Sequence, residues 1–265
     1  MKVLIDNLNL NVVDSGSGNP ALIFLHYWGG SARTWKSVTH VLESDFRCVA
    51  LDQRGWGSSD APADAYTLQN LADDAYMLIR TLGLSRYVLV GHSMGGKVAQ
   101  LLASQRPGGL EALVLVAPAS PFPQHIPEEA RQAQLHAYDN RETALAAIDF
   151  LTVRRPDATT VERLVQDSLG GSPGAKRAWP TTVAYEDISA LVTKIAVPTM
   201  ILVGDQDRQD PKELQLREVL PSIPHAKLEI IPDCGHLIPV DQPLALGEAI
   251  AKFLNDSVSS ASRHP

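Results

Sequence analysis

A rhythm constrains this sequence more than any single residue does. Short runs that are apolar at nearly every position recur at residues 21–26, 47–51, 87–91, 110–116, 199–204 and 226–231, each bounded by turn-forming residues. Continuous apolarity over so few residues is the pattern of strands covered on both faces. Between several of these runs lie segments of helical period. Residues 68–82 put Leu71, Ala75, Leu78 and Ile79 on one face, residues 97–104 group Val98, Leu101 and Leu102, and residues 243–254 carry Leu246, Ile250 and Leu254. Strands alternating with helices predict an α/β chain: a mostly parallel sheet with helices packed on it. Residues 3–5 and 8–13 precede the pattern as a leading hairpin or antiparallel edge.

The alternation stops at Pro121 and resumes near Val197. Residues 128–138, 141–152 and 159–169 read as helices with no strand run among them, so residues 121–196 are expected to be a helical insertion between core segments 1–120 and 197–265. The serine-rich tail from Asp256 to Pro265, which contains His264, is expected to fray.

With 45% hydrophobic residues in 265, the chain can bury one large core. A net charge of −7 leaves no basic stripe, which argues against nucleic acid or an anionic membrane as partner. The two cysteines, Cys48 and Cys234, are too few for a disulfide framework and are expected to be free thiols. The first residues lack a cleavage signal and no segment approaches the ~20 apolar residues of a membrane span, so a cytoplasmic location is expected.

The stretch LVGHSMGGKVAQ, residues 89–100, sets Ser93 between an apolar strand and a helix. So tight a turn pushes the serine out at the carboxyl end of the sheet, where open α/β sheets bind ligands. Gly91 and Gly95 suit a close crossing of strand and helix. The helix start then aims unpaired N–H groups at any negative charge forming on the hydroxyl.

A serine hydroxyl needs a base within reach, and the base needs an acid to orient it. His26 and His40 precede Ser93, His92 adjoins it with a side chain expected to point elsewhere, and His125 and His136 fall in the insertion. His225 stands at the amino edge of the last strand, whereas His236 follows that strand at the carboxyl edge, where the nucleophile is. His236 is the predicted base. The loop after residues 110–116 contains no carboxylate, but the one after residues 199–204 offers Asp205, Asp207 and Asp210. Asp210 precedes Pro211 as a natural helix N-cap. Asp207 is the first choice for the acid and Asp205 the alternative.

With these residues in hand the sequence resembles the α/β-hydrolase superfamily, in its serine esterase and non-haem haloperoxidase-like branch. The motifs that carry the likeness occur in order: His26-Tyr27-Trp28-Gly29-Gly30, the Asp-x-Arg-Gly-x-Gly-x-Ser-Asp segment from Asp52 to Asp60, the elbow from Gly91 to Gly95, Gly-x-x-Asp-x-x-x-Pro from Gly204 to Pro211, and Gly235-His236. The resemblance implies an eight-stranded, mostly parallel sheet with helices on both faces and a cap inserted after the sixth strand. It assigns Asp207 as the acid and makes Arg54 and Asp60 structural. It also implies an oxyanion hole built from backbone N–H groups of Met94 and Trp28. Tyr27 occupies a position that is usually glycine in the family, which leaves Trp28 and Tyr27 as alternatives for the second donor.

The expected activity is cofactor-free and metal-free hydrolysis of a small-molecule carboxylic ester through an acyl-serine. Perhydrolases, lactonases and carbon–carbon bond hydrolases of the superfamily share the triad, whereas halide and epoxide displacement resembles chemistry of an aspartate elbow. A non-catalytic binding protein on the same fold is the reading from another class, and nothing about binding requires all three triad residues. Trp28, Met94, Phe122 and Trp179 are the expected substrate contacts, with Ile126, Phe150 and Leu151 as further candidates; their apolar character favours small to medium apolar or aromatic substrates.

Overall fold

The computed structural model describes residues 1–261. Its eight strands are β1 (Lys2–Ile5), β2 (Leu8–Ser15), β3 (Ala21–Leu25), β4 (Cys48–Leu51), β5 (Tyr87–His92), β6 (Leu110–Val116), β7 (Thr199–Gly204) and β8 (Lys227–Ile231). They form one sheet in the order β1-β2-β4-β3-β5-β6-β7-β8. The leading hairpin β1–β2 joins antiparallel, and every pair from β4 onward is parallel.

Strand alternation divides the core in two. Ile23, Leu25, Val49, Leu51, Leu89, Leu113 and Ile201 face one side and pack with α2 (Leu68–Thr81) and α3 (Met94–Ser104). Leu22, Phe24, Ala50, Val88, Val90, Val114 and Leu202 face the other and pack with α1 (Lys36–Leu42) and α12 (Pro243–Ala261). Both faces are covered, which is why β3, β4, β5 and β7 are buried along their length and β6 is buried from Ala112 onward. Leu71, Ala75, Leu78 and Ile79 form the buried face of α2 as the helical period requires, and Thr67 caps it by accepting from the Asn70 N–H.

Between β6 and β7 the chain is helical: α4 (Glu128–His136), α5 (Arg141–Leu151), α6 (Ala158–Leu169), α7 (Pro173–Thr181) and α8 (Ser189–Val192). Val161, Leu164, Val165 and Trp179 from this segment join the core on the α2–α3 side. After β7 come α9 (Lys212–Leu214), a π turn at Gln215–Val219 and α10 (Leu220–Ser222); α11 (Ile238–Asp241) precedes α12.

Three expectations need correction or limits. β8 is not covered on both faces: Lys227, Glu229 and Ile230 are exposed, because this strand pairs only with β7 and forms the edge. The tail is helical beyond Asp256, since α12 continues to Ala261; extending a formed helix adds one hydrogen bond per residue fixed. Residues 262–265, including His264, lie outside the described residues. Cys48 and Cys234 are free and buried, and among the described residues no helix is long and apolar enough to cross a membrane.

Leu89 is fully buried in β5, four residues before Ser93. Leu89→Ala is expected to lower the unfolding free energy by about 2–5 kcal/mol in urea denaturation, the cost of a buried cavity of that size. A loss below about 1 kcal/mol would contradict the central place given to this strand.

Candidate active site

β5 ends at His92 and α3 begins at Met94, so Ser93 makes the whole reversal. Its φ of 54° and ψ of −115° place a side-chain-bearing residue in the left-handed region, at a cost of roughly 1–3 kcal/mol. Three backbone bonds hold it there: the Ser93 N–H donates to the Val116 carbonyl at 3.0 Å, and the Ser93 carbonyl accepts from the N–H groups of Lys97 and Ala119, each at 3.1 Å. The side chain does not cap α3, and Ser93 lines a cavity of about 500 Å³.

The glycines beside it are required by approach distance. A Cβ on Gly91 would stand 2.3 Å from the Gly95 carbonyl oxygen, and one on Gly95 would stand 2.4 Å from the Leu25 carbonyl oxygen. The strand and helix therefore touch backbone to backbone, as the elbow pattern predicts.

His236 follows β8 and reaches the same cavity. It is buried, and its Nδ1 lies 2.9 Å from Asp207 Oδ2. The other carboxylate oxygen of Asp207 accepts from the N–H groups of Gln209 at 2.8 Å and Asp210 at 2.9 Å. Because Asp207 can only accept when ionised, Nδ1 carries the proton of the neutral imidazole and Nε2 keeps its lone pair. Burial alone would lower the His236 pKa, but the Asp207 charge and hydrogen bond, with the charge of Asp210, outweigh it and raise it above the ordinary value. Burial would likewise raise Asp207; the His236 charge and hydrogen bond and the two backbone donors hold it below the usual carboxylate range.

The other carboxylates of this loop behave differently. Asp205 accepts from the Cys234 N–H at 3.0 Å, which ties β7's loop to the histidine loop, and the imidazole is bonded to Asp207 instead. Asp210 is not the expected N-cap: α9 starts at Lys212 with Pro211 in the cap position, one residue too late for Asp210 to serve. Its side chain is buried instead.

Two histidines set aside on sequence grounds support the geometry. His92 points away from the cavity, as expected, but its Nε2 lies 2.8 Å from the His236 carbonyl and so must donate to it. Burial, with the nearby His236, depresses the His92 pKa to about 3, so this donor stays neutral. His26 accepts from the Gln53 N–H at Nε2, 3.0 Å away, which leaves Nδ1–H to donate to the Tyr27 carbonyl at 2.7 Å. The Tyr27 carbonyl also accepts from the Gly30 N–H at 3.0 Å. In a trans peptide this turns the Trp28 N–H the opposite way. Tyr27 itself does not adopt positive φ; that conformation falls on Gly29, so the tyrosine fits the loop without left-handed strain.

Trp28, Tyr27, Tyr138, Phe150 and Trp179 give the cavity an aromatic lining, and Ala130, Ala133 and Ala137 of the α4 region and Ala146 and Ala147 of α5 give it small residues. Leu151 also lines it. Phe122 does not: its side chain is exposed, and its carbonyl accepts from Lys97. Ile126 packs against the core, and the Met94 side chain is buried in the core, so neither lines the cavity. Arg54 pairs with Asp74 at 2.6 Å and Asp60 accepts from the Asn9 N–H at 2.8 Å, both away from the cavity. The His92 contact was not legible in sequence, because the donor and the carbonyl it binds lie 144 residues apart.

A family model described as alpha/beta hydrolase fold matches residues 20–243. The chain is 28% identical to a bifunctional esterase/perhydrolase of Acinetobacter calcoaceticus over 94% of this chain and 97% of that one. It is also 28% identical to a 2-hydroxy-6-oxononadienedioate/2-hydroxy-6-oxononatrienedioate hydrolase of Burkholderia vietnamiensis, over 93% of this chain and 91% of the relative. Among solved structures, a thermophilic esterase from Thermogutta terrifontis superimposes with a TM-score of 0.81 at 27% identity, covering 97% of this chain and 99% of that one.

Gly95→Ala is expected to cost about 1–3 kcal/mol in thermal or urea unfolding, because backbone lines the space its methyl would enter. Gly108→Ala, where a Cβ meets nothing within 4 Å, is the control and should be near neutral. Equal effects of the two would refute the backbone-to-backbone crossing.

Proposed function

This chain belongs to the α/β-hydrolase fold family, and from that premise we propose that it is a cofactor-free serine hydrolase cleaving neutral carboxylic esters of small to medium apolar or aromatic character. The observation that carries the reading is that the strained Ser93 and His236, which is hydrogen-bonded to the buried Asp207, line one largely apolar cavity. His236 takes the Ser93 proton as Oγ attacks the ester carbonyl, and Asp207 keeps the imidazole in the tautomer that presents Nε2. The imidazolium then protonates the leaving alcohol, and water activated by His236 releases the acyl group.

The tetrahedral oxygen would be held by two backbone donors. The Met94 N–H heads α3, where helix geometry leaves the first amides unpaired. Trp28 is favoured over Tyr27 as the second donor, since His26 and Gly30 fix the intervening peptide. The Trp28 carbonyl is itself held by the Tyr138 hydroxyl at 2.9 Å. Donors fixed before reaction in a site of low dielectric need not reorganise as charge develops. Residues 121–196 would then act as a cap, contributing Tyr138, Phe150 and Trp179 to the cavity as substrate contacts alongside Trp28.

The lining bears on substrate charge. No lysine or arginine is among the residues lining the cavity, so a dianionic dienoate would enter without a cation to offset its desolvation. A neutral ester has no such penalty. Perhydrolysis differs only in using hydrogen peroxide in place of water on the acyl-serine.

Wild-type protein is expected to hydrolyse p-nitrophenyl and phenyl esters faster than dianionic ring-cleavage products and to take a fluorophosphonate label on Ser93. Ser93→Ala should lose turnover by on the order of a millionfold and take no label. Unlabelled wild-type protein would instead support a binding role.

The reaction needs neutral His236, whose pKa is raised. Activity should therefore rise with pH through a midpoint above about 6.5, the ordinary histidine value. A kcat/KM profile with its acid limb below that value would contradict the assignment.

A further inference from the structure

One buried acid takes no part in the scheme above. Asp210 is 2% exposed, and its Oδ2 has no hydrogen-bond partner among the described residues. Its own N–H donates to Asp207 Oδ1, so its backbone helps hold the acid while its side chain lies unused beside the pair. A buried carboxylate with an unpartnered oxygen is destabilising in a folded interior, and here no helix needs it as a cap.

Four charged groups act on Asp210. Asp207 shares its loop, and His236 approaches from the loop after β8. Lys97 approaches from α3, its buried ammonium donating at 3.3 Å to the carbonyls of Phe122 and Ala184, with Glu186 and Asp187 as its own counter-charges. Glu218, on the π turn, accepts from the Ser120 hydroxyl at 2.6 Å.

We propose that Asp210 is a second carboxylate acting on the proposed base: a positioning residue that works through His236 across space, as Asp207 does through a hydrogen bond. The inference rests on the serine-hydrolase reading for its catalytic consequence, though not for the electrostatic contact itself. Burial pushes the Asp210 carboxyl up to about 7, against the pull of His236 and Lys97 and with the added push of Asp207 and Glu218. Its charge is therefore coupled to the charge on His236. Ionised, it stabilises the imidazolium that forms as Ser93 gives up its proton; protonated, it leaves that work to Asp207. The two ionisations are linked, and the pair titrates as a unit.

Asp210→Asn keeps the shape and removes the charge. The test follows the ring signals of His236 by NMR in wild-type protein and the variant, assigned with His236→Gln, together with the pH profile of ester hydrolysis. The His236 midpoint is expected to fall by on the order of one pH unit in the variant, as for a histidine losing a nearby opposite charge. The acid limb of kcat/KM should move down with it and sharpen to a single ionisation. The alkaline plateau should drop by roughly a few-fold, since a weaker base accepts the proton less readily. The two profiles therefore cross, with the variant faster at low pH and slower at high pH.

A merely structural role would lower the rate at every pH and leave the His236 midpoint in place, and that result overturns the proposal. Should thermal melting show that Asp210→Asn fails to fold, Asp210→Thr is read by the same two measurements. A shifted midpoint in a protein that cleaves no ester would defeat the hydrolase reading alone. An unmoved midpoint in an active esterase would defeat the role of Asp210 alone.

Discussion

The site depends on a contact with no side chains in it. Where β5 gives way to α3, the backbones of Gly91, Gly95 and the end of β3 approach until a methyl group has no room. That approach holds the first turn of α3 against the sheet and forces Ser93 into the left-handed region. The strain persists because β6, through Val116, and the following loop, through Ala119, bond the serine's backbone on both sides. A residue so over-determined keeps its hydroxyl in one place, and the remaining residues need only converge on it. They do so by topology: in a parallel sheet every strand delivers its following loop to the same rim.

Convergence alone would leave the histidine loop free to wander, and backbone bonds prevent it. His92 holds the His236 carbonyl from below, Asp205 holds the Cys234 N–H, and Asp241 accepts from the Gly235 N–H at 2.8 Å. The helical segment is fastened to the same two loops. Leu237 donates to the Leu151 carbonyl at 3.0 Å, Asp241 also accepts from the Val153 N–H, and Arg208 donates to the Asp149 and Thr152 carbonyls. The end of α5 is thus bonded to the residues flanking both members of the buried pair. A shift of α5, which also carries cavity residues, is therefore transmitted to Asp207 and His236.

How much of this the sequence discloses depends on the range of the interaction. The strands were legible because burial on both faces leaves apolar runs, and β8 misled because an edge strand with Lys227 and Glu229 does not obey that rule. Ser93 and His236 were legible because loop position relative to a strand fixes the rim on which a residue lies. Asp207 was preferred to Asp205 on the residues and then assigned by likeness to a family motif, while local pattern left Asp205 open because the two differ by which neighbour they reach. Phe122 was misread because apolar character says a side chain prefers burial, not which cavity receives it. Asp210 was misread for a complementary reason: Asp before Pro is a strong local signal for a cap, and tertiary packing overrode it by starting the helix later.

The apolar cavity and the buried charges are two aspects of one design. Burial of Asp207 and His236 lowers the local dielectric and strengthens the interaction between them. The same medium penalises any carboxylate without full hydrogen bonding. Orienting one imidazole requires one acceptor, and Asp207 meets that need with both oxygens engaged. A second buried acid beside it costs stability and adds nothing to orientation. What it can add in so poorly screened a place is charge on the imidazole, so the basicity of His236 belongs to Asp207 and Asp210 together, with Lys97 and Glu218 acting on Asp210, rather than to one hydrogen bond.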